Sequence, residues 1–237
     1  MTTTRPARKR GSRAEVPITR EAIVDAAFRM IDERGSEGFS MRSLATELGV
    51  YPATLYWHVG DRARVLGLVE QQWLESIEQP DDDVDWRVWM RELGRRYRAN
   101  AQRHPNVARI ISIERARNTD AMVIPDAVLG RLASLGLTGD TLVHTYNAVV
   151  GAVQGFVVME LARIAEPDAD SARDTEQELR NLDPERFPNI TEHFDVVADR
   201  VLSVRWSDGA QSPLDGSFEQ LLTMLIGGVE ALVSPLQ

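Results

Sequence analysis

Residues 40–59 read SMRSLATELGVYPATLYWHV, and this stretch decides the fold. Ser40 is placed to cap a helix by accepting a hydrogen bond from a free backbone N–H of the first turn. Leu44, Ala45 and Leu48 then fall on one helical face. Gly49 follows the last turn, where a left-handed backbone is cheap only for glycine. Val50 closes the turn, and Pro52 suits the first turn of a second helix running to about His58. Two short helices joined by a glycine turn have the layout of a helix-turn-helix. The second is too short to be stable alone. It is nevertheless crowded with hydrogen-bonding and aromatic groups: Tyr51, Thr54, Tyr56, Trp57 and His58. Such a rod suits insertion into the major groove of duplex DNA.

Working outward, Thr19 is the expected N-cap of an earlier helix with Ile23, Ala26, Ala27, Met30 and Ile31 on one face, ended by Gly35. After the motif, Gly60-Asp61 breaks the chain and caps a helix from about Arg62 that carries Val65, Leu66, Val69, Trp73 and Ile77. The run Gln79-Pro80-Asp81-Asp82-Asp83 is the expected boundary, giving a DNA-binding domain over residues 17–79. Residues 1–16 hold Arg5, Arg8, Lys9, Arg10 and Arg13 before the first acidic residue, Glu15, and are expected to form a disordered basic arm. That arm reads either as a solvated tail or as a contact to phosphates or the minor groove.

Residues 85–237 stay helical in pattern, with no sustained strand alternation and no internal repeat. Trp86 to about Arg103 puts Trp89, Leu93 and Tyr97 on one stripe, with Met90 beside it. Short helices are expected near Asn106–Arg117 and Pro125–Leu135, the latter ended by Gly136. A long helix from about Asp140 to Ile164 carries Leu142, Tyr146, Val149, Val150, Val153, Phe156, Val157 and Leu161 inside. Residues 166–188, acidic with three prolines, read as a loop with at most a turn of helix. Ile190–Val204 reads as a further helix, and Ser217–Val233 as the last. The long helix and the last one are apolar around more than one face, and Gly151, Gly155, Gly227 and Gly228 let backbones approach closely. This points to self-association, with burial inside a monomer as the competing reading. The expected fold class is all-α: an N-terminal three-helix DNA-binding domain with a helix-turn-helix, and a larger C-terminal helical domain for dimerisation.

Of the 237 residues, 43% are apolar and 27% charged, ordinary proportions for a soluble globular protein. The absence of cysteine excludes disulfides and thiolate metal sites and fits a reducing cytoplasm. The polar, basic N-terminus has no apolar signal-peptide core. The apolar run Asn147–Met159 is interrupted by Gln154 and flanked by His144, Glu160 and Arg163, so it reads as a buried helix with no membrane role. A net charge of −9 argues against nucleic acid until the chain is divided. Residues 1–64 hold eleven Lys+Arg against eight Asp+Glu, and the remainder sixteen against twenty-eight. A basic front on an acidic body can present one face to DNA.

The string LATELGVYPATLYWHV, preceded by GFSMR and followed by the helix from Arg62, resembles the DNA-binding domain of tetracycline-repressor (TetR) family regulators. LYWHV resembles that family's founding subfamily in particular. The similarity covers about Thr19–Trp73, and continues from Trp86 onward as helix pattern alone. It implies DNA contacts from the start of the helix-turn-helix, Ser40, Met41 and Arg42, with Arg42 on a base. Arginine can give guanine two hydrogen bonds, worth about 1–3 kcal/mol of discrimination. Tyr51, Pro52, Ala53 and Thr54 match positions facing base edges or thymine methyls. Pro52 and Ala53 replace the founder's glutamine and proline, so the operator sequence does not transfer. Tyr56, Trp57 and His58 match contacts to phosphates and the groove wall, and Arg62 replaces a phosphate-binding lysine.

The resemblance further implies a homodimer joined through the last helices. It also implies a small-molecule effector in the C-terminal domain, with the helix from Arg62 as lever between the two parts. A dimer meets a physical need, since two half-sites lie about 34 Å or a multiple apart. The polar and aromatic residues on otherwise apolar C-terminal helices, Trp89, Tyr97, His104, Phe156 and Glu160, are the expected effector lining. Glu160 matches a carboxylate that helps hold the founder's metal–tetracycline complex, but the histidines of that site have no counterpart, and Ile111 falls where one belongs. Tetracycline is therefore not the expected effector.

No catalytic constellation stands out, and neither metal nor cofactor is expected. His58, His104, His144 and His193 are far apart, with no i, i+4 pair, and neither GxxxxGK nor GxGxxG occurs. The expected function is a cytoplasmic, non-enzymatic transcriptional regulator, a repressor released from a palindromic operator by its effector. The alternative is a helical ligand-binding or protein-interaction module without transcriptional role. Exposure of Tyr51, Thr54 and His58 separates the two: burial or acidic masking favours the alternative.

Overall fold

The computed structural model describes residues 18–35, 38–113, 121–162, 169–205 and 213–234. The expected basic arm, and the helix ends projected to Arg117 and Ile164, lie outside the described residues. Among those described, all regular structure is α-helical apart from one isolated antiparallel bridge, Val201 to Val204.

The first helix, α1 (Arg20–Arg34), starts where Thr19 Oγ1 accepts the Ala22 N–H at 3.2 Å and stops at Gly35, with φ +67°. Its stripe Ile23, Ala26, Ala27, Met30 and Ile31 is buried, joined by Val24. Against it pack α2 (Met41–Leu48), α3 (Pro52–Val59) and α4 (Arg62–Glu75), the last capped by Asp61 on the Arg64 N–H. Leu44, Leu55, Val65 and Val69 are fully enclosed between these four helices. Ile77 is also buried but lies beyond the end of α4.

Gly49 adopts φ +68°, ψ +28° between α2 and α3, and no other group comes within 4 Å of where a Cβ would stand. The cost of a side chain there is purely conformational. Gly49→Ala is expected to destabilise the protein by about 1–2 kcal/mol, read as a lowered unfolding midpoint.

The C-terminal helices α5 (Trp86–Arg103), α6 (Pro105–Ile113), α7 (Val123–Ser134), α8 (Gly139–Glu160) and α12 (Asp215–Val233) form the second layer of packing. α5 lies against α12 so closely at Gly94 that a Cβ would stand 2.7 Å from Leu222 Cδ2. Both α1 and α4 rest on α6, so the N-terminal helices are carried largely by that one element.

Three expectations are corrected. The proline-rich acidic stretch contains a helix, α9 (Ala169–Arg180), because no proline falls between Pro167 and Pro184 and an i, i+4 Arg180–Glu176 pair supports its last turn. Ile190–Val204 is not one helix but two short ones, α10 (Pro188–Glu192) and α11 (Phe194–Val197). Their chain then turns through Asp199, at φ +56°, into the bridge. Arg180, over the Phe194 ring at 4.6 Å, ties α9 to α11. Finally, α8 is not a buried helix. Only 17% of its most apolar window is enclosed by the chain, and it is long and apolar enough to cross a membrane by length and composition alone. Val143, Asn147, Gly151, Gly155 and Met159, spaced every four residues, form one exposed stripe along it.

Candidate nucleic-acid interface

The start of α2 is held by a reciprocal cap. Ser40 Oγ accepts the Ser43 N–H at 3.0 Å, and Ser43 Oγ accepts the Ser40 N–H at 2.9 Å. This orders the first turn, whose other free N–H groups and dipole favour an anion such as a backbone phosphate. Arg42 projects outward from that turn into an open cleft that it lines with Arg34, Ser40, Ser43, Thr46 and Glu47. The Arg34–Glu47 pair at 3.1 Å closes one wall and fixes α1 to α2. Met41 needs correction: it points into the core with 7% exposure, on the same stripe as Leu44 and Ala45, so its side chain does not reach a groove.

α3 has one buried edge, Leu55 and Val59, and presents the rest of its surface outward. Tyr51 is 84% exposed, Trp57 82% and Tyr56 53%. Pro52 and Ala53 are exposed beside them, and Thr54 and His58 are half-buried at the edge. Trp57 and His58 meet edge to face at 4.6 Å. Three large aromatic rings left exposed on one short helix mark it as a candidate interaction surface. Pro52 at the first helical position lacks only an N–H that would have no partner inside the helix, and Tyr51 before it makes no side-chain cap bond. Arg62 opens α4 nearby, its guanidinium 5.7 Å from the Phe39 ring. Among the described residues, neither burial nor acidic masking covers the outer face of α3.

Of the five residues expected to line an effector site, Phe156 and Glu160 meet through Phe218 and Arg98, while Trp89 and His104 face other partners. Trp89 is 1% exposed beneath the Arg131 guanidinium, 4.8 Å from its ring. His104 turns toward α1: its Nδ1 lies 2.8 Å from Asp32 Oδ2, and its ring meets Phe28 at 5.0 Å. Phe156 leans on Phe218 at 5.4 Å. The Glu160 carboxylate is fully engaged: it accepts two hydrogen bonds from Arg98, at 2.8 and 2.6 Å, and the Leu214 N–H at 2.8 Å. His104 and Glu160 thus make polar bonds within the chain, whereas Trp89, beneath Arg131, keeps a buried Nε1 without a hydrogen-bond partner among the described residues.

Tyr97 packs on Trp73 at 5.2 Å, and Asn100 donates to the Trp73 carbonyl at 3.0 Å. Around it, Trp73 Nε1 and Asn100 Oδ1 are buried without a hydrogen-bond partner among the described residues. Burial pushes the Tyr97 phenol up from the ordinary 10.0 to about 12, against the opposing effect of its hydrogen bond with Gln154. The folded state therefore holds this proton more tightly than the unfolded chain does. The resulting stabilisation is complete below the ordinary pKa and is lost as pH rises toward the folded value. Tyr97→Phe is expected to flatten that alkaline loss of stability, seen by comparing unfolding midpoints with the unaltered chain at about pH 9 and about pH 11.5.

Sequence reading missed Arg98 altogether. Besides Glu160, it reaches Asp215 at 2.8 Å and lies 5.0 Å over Phe218. It is one of several arginines along α5, and nothing local distinguishes it from its exposed neighbour Arg95.

An exposed, capped helix-turn-helix on a helical body defines a class: helical DNA-binding transcriptional regulators. The chain belongs to the tetR family of bacterial regulatory proteins, which residues 23–66 match, and residues 79–233 match the tetracyclin repressor-like C-terminal domain. It is a DNA-binding, ligand-responsive transcriptional repressor of that family and not an enzyme. It is 31% identical over 150 residues to the HTH-type transcriptional repressor DrrR1 of Streptomyces coeruleorubidus, a match covering 62% of this chain and 56% of that one. Identity to the Escherichia coli tetracycline repressor protein class C is 25%, covering 91% of this chain and 92% of that repressor. Streptomyces coelicolor ActR in complex with actinorhodin superposes with a TM-score of 0.73 at 26% identity, covering 92% of this chain and 99% of that one.

Proposed function

We propose that the protein acts in the cytoplasm as a homodimer, represses by reading a two-fold symmetric operator through α2 and α3, and leaves it when a small molecule occupies the C-terminal helices. The observation that carries the DNA reading is the outward presentation of Tyr51, Pro52, Ala53, Thr54, Tyr56, Trp57 and His58 on a helix buried only at Leu55 and Val59. Arg42 supplies base discrimination, while Ser40, the free turn of α2 and Arg62 hold phosphates. Selection from random duplexes, followed by gel-shift titration, tests this. A saturable, palindromic site is expected, and failure to enrich any sequence overturns it.

The division of labour has its own outcome. Arg42→Ala is expected to relax base preference at one position by about 1–3 kcal/mol. Arg62→Ala is expected to weaken all sites alike and lower the salt slope by about one. Equal loss of specificity in both variants contradicts these roles.

The dimer reading rests on α8 and α12. The exposed α8 stripe is matched on α12 by Met224, Gly228 and Leu232, at four-residue spacing, with Met224 66% and Leu232 56% exposed. A Cβ at Gly151, Gly155, Gly227 or Gly228 would meet nothing within 4 Å among the described residues, so the packing described within one protomer gives no reason for glycine there. Ridges spaced every four residues interdigitate between crossing helices, and small residues let the axes approach.

The proposed effector seat is beside Tyr97, where Trp73 Nε1 lacks an acceptor and Asn100 Oδ1 a donor among the described residues. The likeness to ActR, which was crystallised with actinorhodin, supports a small organic ligand. Glu160 is already paired with Arg98 and the Leu214 N–H, and the reading invokes neither metal nor cofactor.

A further inference from the structure

An unbroken line of hydrogen bonds runs from the end of α8 through α6 to the last turn of α1, against which α2 and α3 pack. Arg109, on α6, donates from Nε to the Leu161 carbonyl at 2.5 Å, just past the last turn of α8. Its Nη1 donates to Asn106 Oδ1 at 3.0 Å, one turn earlier on the same helix. Asn106 Nδ2 in turn donates to the backbone carbonyl of Asp32 at 2.7 Å, in the last turn of α1. The Asp32 carboxylate then meets His104, at the junction of α5 and α6.

Both carbonyls sit where a helix leaves its acceptors without an internal donor. α6 thus caps two other helices with side chains from one of its faces. Amide and guanidinium donors are planar and directional, so they set angle as well as distance. A second attachment holds the end of α4: Asn100 donates to the Trp73 carbonyl and to Ser76 Oγ, both at 3.0 Å, and Arg96 to the Glu78 carbonyl at 3.1 Å. Two attachments prevent rotation where one acts as a pivot.

We propose that Asp32, Asn106 and Arg109 are positioning residues for operator binding: their relay fixes the tilt of α1–α4 on α6 and α8, and so the separation of the two recognition helices in the dimer. With the relay cut, α1 keeps His104 on Asp32 and its packing on α6 but loses its link to α8. The tilt of α1–α4 about the α4 attachment is then held less tightly, and half-site spacing is less strictly enforced. This rests on the dimeric operator reading above.

The test uses the full-length dimer and the selected operator, with none, one or two base pairs inserted between the half-sites, and Kd read by fluorescence anisotropy. The unaltered chain is expected to lose about tenfold or more on insertion, a coupling of ordinary size. Asn106→Leu, close in size but unable to bond, is expected to shrink that ratio by about fivefold or more. Arg109→Lys, which keeps the charge without the planar fork, should shrink it too and serves if Asn106→Leu does not fold. Leu132→Ala, which only loosens the core, lowers the active fraction and leaves the ratio unchanged. Variants that fold and keep the original ratio overturn the relay alone. An unaltered chain indifferent to spacing overturns the operator reading beneath it.

Discussion

Glu160→Ala is expected to lower the free energy of unfolding by about 3–5 kcal/mol, because it strands a buried guanidinium. The Glu160 side chain is wholly buried and that of Arg98 is 10% exposed. Once the carboxylate is gone, Arg98 keeps Asp215, itself 73% exposed, as its one ion-pair partner among the described residues, and the buried Leu214 N–H loses its acceptor. The pair also joins α5, the end of α8 and the start of α12, so the loss falls on three elements together. Replacing both partners by apolar residues, Arg98→Met with Glu160→Leu, is expected to cost less than either single change to alanine, since no charge is then left unpaired. Urea unfolding at one fixed protomer concentration measures all four chains. A Glu160→Ala protein within about 1 kcal/mol of the original contradicts the assignment of a tightly sequestered pair.

Met224→Glu combined with Gly155→Glu is expected to give a folded monomer whose operator affinity falls by about 10²–10⁴-fold, the range lost when two linked contacts become one. Both positions are exposed in the single chain, and a side chain at Gly155 meets nothing within it. The substitutions therefore leave the fold of the protomer alone and place like charges across the proposed two-fold axis. Sedimentation gives the mass, circular dichroism the helix content, and gel shift the affinity. A monomer that binds the operator as tightly as before contradicts the requirement for two recognition helices.

The N-terminal helices were legible because their boundaries are written in single residues. Thr19, Ser40 and Asp61 are caps, Gly49 is the left-handed turn and Pro52 opens α3, and each acts over three or four residues. α9 to α11 were not legible, because prolines and acidic composition point to loop while contacts such as Arg180 on Phe194 override them. Met41 was misplaced although the signal was present: it shares the spacing of Leu44, Ala45 and Leu48, which makes it a core position. Glu160 was misplaced for the opposite reason. A carboxylate on an apolar helix looks like a ligand group until its partner is known, and Arg98 lies 62 residues away in the chain. Long-range pairing leaves no mark in local pattern, and neither does the relay from Leu161 to Asp32, which crosses three helices.

Methylation interference on the selected operator tests the central claim most directly, since a methyl on guanine N7 blocks the major groove and nothing else. The account predicts two groups of interfering guanines, related by two-fold symmetry and centred about one helical turn or a multiple apart. It also predicts that Arg42→Ala abolishes interference at one guanine in each half. Binding untouched by major-groove methylation, or interference confined to a single half-site, contradicts it.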